Sequence, residues 1–141
     1  MPQSYLDSQA TYVDRDAMVG LRAVTSTAAA TLTVTPEDSF RVILATRSSA
    51  TQVFTLPAAT GSGVETVFIC GNAAGEILIN AGASDVFNLK ASEGGAAVAT
   101  AAGTGCKNTA ASNVRGDRIS VVDVAVNDYT AVNQSGIWAS Q

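Results

Sequence analysis

The sequence predicts an all-β protein, a compact β-sandwich or partly open barrel with an extended N-terminal arm. Two observations carry this. Between Leu32 and Ala81 short apolar segments alternate polar and apolar residues with a period of two. Nearly every break between them holds Gly, Ser, Asn or Pro. The same grammar resumes from Asp117 to Val126.

The elements follow in order. Thr31–Thr35 sets Leu32 and Val34 on one face and its threonines on the other. In Phe40–Thr46, Phe40, Val42 and Leu44 share a face. Gln52–Leu56 points Phe54 and Leu56 together and Thr55 away, and Pro57 ends it because proline has no N–H for a ladder. Gly61-Ser62-Gly63 supplies the positive-φ freedom of a turn. Val64–Cys70 contains Val67-Phe68-Ile69-Cys70, apolar on both faces, which marks a central strand. Asn72 to Gly75 reads as a hairpin loop leading to Glu76–Ala81, and Val86–Lys90 follows. The Ala/Gly-rich interval 91–113 lacks large apolar groups and reads as a long loop. Gly116-Asp117 and Asn127-Asp128 are turns around the strand Asp117–Val126, before Tyr129–Val132 and Ile137-Trp138. Trp138, the only tryptophan, is placed to close one end of the sandwich.

Residues 1–30 differ: their apolar side chains follow no clean period, and they read as an arm ahead of a β domain over 31–141. Tyr5, Leu6, Tyr12 and Val13 suit docking on a partner, since tyrosine offers a large apolar face and a polar tip.

A chain of 141 residues is one domain of ordinary size, able to bury roughly 68–70% of its unfolded surface. Charged residues make up 14% of it, against about 25% in typical soluble domains, and the 47% apolar fraction is padded with alanine. So small and neutral a surface points to assembly. The net charge is -4 and the eight Lys and Arg are scattered, which argues against nucleic acid as a partner. Apolar runs of about 5–7 residues fall short of the roughly 20 a membrane helix needs, and the N-terminus lacks the pattern of a secretory signal.

The chain has no histidine, so Ser-His-Asp and Cys-His nucleophile systems are excluded. Carboxylates are left for acid–base work. Glu37-Asp38 lies in Thr35-Pro-Glu-Asp-Ser39, a turn with water-facing acids. Asp85 and Asp117 are turn acids, and Asp123, between Val122 and Val124, is expected to face outward. No pair converges, and the chain is not expected to be an enzyme. No calcium loop is present, and Gly61-Ser62-Gly63 lacks the following Lys and helix of a phosphate loop. Cys70 reads as a small buried hydrophobe and Cys106 as a loop residue; neither has a CxxC partner, and nothing in their spacing indicates a disulfide. No metal or cofactor is expected. Trp138 and Tyr129 are candidates for an aromatic sugar-binding platform.

Taken together, Phe54-Thr-Leu-Pro-Ala-Ala59 before a Gly turn, the strand VETVFIC, the segment EILINAGASDVFN and the late GDRISVVDVAV with IWA resemble the virion-surface β modules of tailed bacteriophages, the head-decoration and fibre proteins. The resemblance covers about residues 31–90 and 116–139. It implies a structural virion protein without catalytic residues: a capsid decoration, or cement, protein, a homotrimer seated on the outer capsid surface with the major capsid protein as partner. The alternative it implies is a head- or tail-fibre module that binds a receptor or glycan. The arm and the Ala/Gly-rich interval lie outside the shared pattern.

Overall fold

Short runs of β-branched and apolar residues, cut by turn formers, build twelve strands and no helix among the described residues. A computed structural model describes residues 24–35, 41–48, 50–72, 75–90 and 97–141. The strands are β1 Val24–Thr27, β2 Thr31–Thr33, β3 Val42–Ala45, β4 Gln52–Thr55, β5 Glu65–Cys70, β6 Ile77–Asn80, β7 Val86–Lys90, β8 Ala97–Ala99, β9 Gly105–Asn108, β10 Arg118–Ala125, β11 Asp128–Ser135 and β12 Ala139–Ser140. They form two sheets. One has seven strands in the order β1-β3-β5-β10-β11-β7-β8, the other five in the order β12-β9-β6-β4-β2.

The first half of the chain winds between the sheets. β1, β3 and β5 are parallel neighbours in the larger sheet, while β2, β4 and β6 are parallel neighbours in the smaller one. Each pass through one sheet is therefore followed by a pass through the other, and parallel pairing is reached without a crossover helix. The expected hairpin at Asn72 to Gly75 does not form: β5 and β6 lie in different sheets, and the segment carries the chain across. A tight turn and a sheet-to-sheet corner ask for the same residues, so the local sequence does not separate them. Gln52, almost fully buried, fixes one corner by donating from its side-chain amide to the Thr27 carbonyl (2.9 Å) and accepting from the Arg47 N–H (3.4 Å).

The second half is mostly antiparallel. β10 and β11 form a hairpin through Asn127, whose φ is 62°, a left-handed conformation that asparagine tolerates. Register shifts fall between Ser120 and Val121 and between Asp123 and Ala125, marking bulges in which Val132 and Val124 stand out of the ladder. Both are exposed.

Between the sheets lies one core. Phe54, Phe68, Phe87, Ile43, Ile79, Leu89 and Ile119 are its most deeply buried large apolar side chains, with the Phe54 and Phe68 rings tilted and 5.2 Å apart. Trp138 is buried in it as well, and its indole N–H donates to the Ser135 carbonyl (3.0 Å). As expected, Phe54 and Leu56 point inward, and β5 is a central strand flanked by β3 and β10. Val42 and Leu44 do share a face, but it is the outward one; Ile43 and Ala45 meet the core. Phe40 lies outside the described residues.

Two boundaries shift. Val24–Thr27, counted with the arm, is the edge strand β1 of the larger sheet. The interval read as a loop over 91–113 contains β8 and β9, and Cys106 belongs to β9 rather than to a loop. Small residues are what let β9 form. A Cβ on Gly105 would run into the Ile79 carbonyl across the β6–β9 ladder, so glycine permits the close approach. Replacing Gly105 by Ala should destabilise the fold by about 3 kcal/mol, at the overpacking end of core substitutions, as read from the urea midpoint at constant m-value.

Candidate functional site

Three carboxylates that the sequence places in turns or on the surface are buried, and each holds a loop. Asp123 is the most engaged. It sits on β10 at 4% exposure, and its carboxylate accepts from the N–H groups of Thr60 (3.0 Å), Gly61 (2.7 Å) and Ser62 (3.1 Å) and from the hydroxyls of Thr60 (3.1 Å) and Ser62 (2.7 Å). The turn can aim its amides this way because Gly61 and Gly63 take φ of 78° and 74°, which few other residues adopt. The backbone of Asp123 is tied to the same turn: its carbonyl accepts from Gly63 and its N–H donates to Val64.

Asp123 does not face outward, as its place between Val122 and Val124 leads one to expect, but inward. Its position follows the core parity of Ile119 and Val121, four and two residues earlier, so a strand starting at Arg118 turns it inward. That parity was visible in the sequence. What the sequence does not show is the glycine turn, some 60 residues earlier, that satisfies it. Burial alone would raise its pKa, but the hydrogen bonds from the Ser62 hydroxyl and the three N–H groups outweigh it and hold the carboxyl at about 2.

Asp85 and Asp117 repeat the pattern. Asp85, at 1% exposure, accepts from the Ala59 N–H (2.9 Å). Asp117 accepts from the Asn108 side-chain amide and the Val114 N–H, both at 2.9 Å. They are turn acids, as expected, but face inward and bind the chain's own donors.

A cavity of about 170 Å³ opens beside Asp123, where the chain passes from the smaller sheet to the larger. Val34, Leu56, Pro57, Ala58 and Val64 give it apolar walls, with Thr66 and Tyr129 on the larger sheet. The Tyr129 hydroxyl donates to the Pro57 carbonyl (2.8 Å), and burial, with the nearby negative charges of Asp123 and Asp85, raises its pKa so that it stays protonated. The Asp123 carboxylate and the Tyr129 hydroxyl on the wall are thus held by the chain itself. The arrangement can seat a small apolar group; it places no nucleophile beside a free base.

Among the described residues no group of three or more His, Cys, Asp or Glu comes together to hold a metal. Cys70 and Cys106 are free thiols, fully buried, and burial raises the pKa of each. Trp138 and Tyr129 are 3% and 4% exposed, so neither ring is a sugar platform. The expected docking residues Tyr5, Leu6, Tyr12 and Val13 lie outside the described residues. The large apolar side chains that do face water include Val24, Val114, Val124, Val126, Val132 and Ile137.

Compared with known proteins, the chain matches no family model and no curated protein. The class that fold and site define is therefore a two-sheet all-β protein whose buried acids anchor its loops.

Asp123→Asn keeps the shape but loses the charge and turns an amide toward donors; it should destabilise by about 3 kcal/mol in chemical denaturation. The acid limb supplies a second check. A carboxyl held at about 2 in the folded state, against about 3.9 unfolded, contributes stability that is complete above pH 4 and lost as pH falls toward 2. The loss is on the order of 2 kcal/mol, and the Asn variant should show a correspondingly flatter stability profile between pH 4 and 2.

Proposed function

We propose that this chain is a structural virion protein of a tailed phage, a capsid decoration protein that binds the outer surface of the head and stabilises it. One observation supports the reading most. The sequence elements that carry the resemblance are joined to one another in space as the frame of the fold. Asp85, ending INAGASD, accepts from Ala59 of LPAAT, and Tyr129 donates to Pro57 of the same segment. Asp117, second in GDRISVV, holds the turn before β10, and Trp138 of IWA fills the core. A motif set knit together this way behaves as the signature of a scaffold.

In this role the mechanism is buried area. Apolar contacts worth roughly 25 cal/mol per Å² accumulate over many copies on one shell, so a modest contact per copy resists the pressure of packaged DNA. The N-terminal residues Tyr5, Leu6, Tyr12 and Val13 make the contact with the major capsid protein. The fibre reading loses its glycan platform with the burial of Trp138 and Tyr129.

Sedimentation of the full chain mixed with empty heads of its phage should show saturable binding in a fixed ratio to capsid subunits, with density at symmetry-related sites by electron microscopy. Tyr5→Ala with Tyr12→Ala should weaken that binding at least about tenfold at unchanged thermal stability. Binding without saturation, or binding to host cells in place of heads, would exclude the role.

A further inference from the structure

We propose that the end of the sandwich formed by β1 and β2 joins a second copy of this chain edge to edge, about a two-fold axis. Among the described residues β1 pairs only with β3, and β2 only with β4. Each is the last strand of its sheet. Three residues, Ala28 to Ala30, connect them, so both open edges lie at the same end of the molecule.

The residues of these edges carry little of the usual protection, the charges that reach them among the described residues being Arg41, which donates to the Thr25 hydroxyl, and Arg47, which donates to the Ala28 carbonyl. Proteins blunt a free edge with lysine, proline or an inward charge, because unpaired N–H and C=O groups recruit another strand. The stretch VTSTAAATLTVT over 24–35 contains no charge and no proline. Apart from Leu32 its residues are β-branched or small, suited to a flat, closely approached strand. A second observation points the same way. Val24, 62% exposed, is the exposed end of a row of valines in register across the larger sheet, continued by the half-buried Val42 and the buried Val67. The row ends abruptly at the open edge.

The occupant follows from geometry. An added extended peptide completes one sheet and leaves the other open. A two-fold axis perpendicular to both sheets sets β1 antiparallel to its copy and β2 antiparallel to its copy in one operation, so both edges close together. With Thr25 on the axis, Val24 lies opposite Ser26 of the partner subunit, and no charged residue of 24–35 faces its own copy. The two copies share continuous sheets. Association in twos replaces the homotrimer that the resemblance implies, and it does not depend on capsid binding.

The test uses the full chain in sedimentation velocity, native mass spectrometry and hydrogen exchange. The expected mass is twice 14.3 kDa, with slow exchange at residues 24–27 and 31–33. Val24→Lys with Ser26→Lys places exposed like charges on both sides of the axis. This variant should keep its circular dichroism, weaken association about 100-fold and free the β1 amides. Val132→Lys, exposed on β11 away from this end, should leave the mass unchanged. A trimer, or a dimer that survives the double lysine variant, overturns the proposal. So does a monomer, whether its β1 amides exchange freely or are protected, the latter meaning that the chain's own residues cover the edge. Capsid binding by such a monomer would leave the decoration role standing.

Discussion

The buried carboxylate of Asp123 is the constraint around which the two sheets are assembled. A charge taken out of water must be matched by donors, and an unmatched carboxylate at this depth would not remain ionised. Here the donors come from one turn, Thr60 to Ser62, which lies where the chain leaves β4 for β5. Asp123 itself stands on β10, beside β5. The interaction thus pins the crossing from the smaller sheet to the larger against the middle of the larger sheet. It also positions Tyr129, paired with Asp123 across the hairpin, so that its hydroxyl reaches Pro57 on the far side of the crossing. Asp85 and Asp117 apply the same solution to the neighbouring connections.

Seen this way, the polar groups of the interior have a common task. With loops of Ala, Gly, Ser and Thr there are few large side chains to pack connections onto the core, and hydrogen bonds to buried acids take over that function. A core of Phe, Ile and Leu supplies the nonspecific cohesion, while the acids set which loop goes where. The Asp123 carboxylate beside the cavity is engaged in the same way, by the amides and hydroxyls of the glycine turn.

Much of the strand content was legible because period-two alternation is a local property. Phe54 with Leu56, the central position of β5, and the turn at Asn127 were all readable from a few neighbouring residues. Sheet membership was not. Whether Asn72 to Gly75 reverses the chain within a sheet or carries it to the opposite one depends on partners about 25 residues away, and glycine serves both. Likewise, nothing near Ala97–Ala99 or Gly105–Asn108 announces a strand, because both runs are short and are defined by their backbone pairing with β7 and β6. Asp123 occupies a middle ground: its inward parity was legible, and its donors were not.

The alternating winding of the first half also bears on how the chain reaches its native state. β1 and β2 find their partners only after the chain has traversed the other sheet and returned, so none of the six early strands can pair with its sequence neighbour. Such non-local pairing must meet loop-closure entropy before contacts repay it, which places folding in the slow, millisecond-to-second range of β proteins. Besides β7 with β8, the strands that pair with a sequence neighbour are those of the β10–β11 hairpin, two eight-residue strands joined directly through Asn127. It is formed late in synthesis, and it carries Asp123. The N-terminal winding therefore waits on the C-terminal third for the anchor of its crossing, and a ribosome-bound chain lacking that third holds unprotected strands without the acid that locks them.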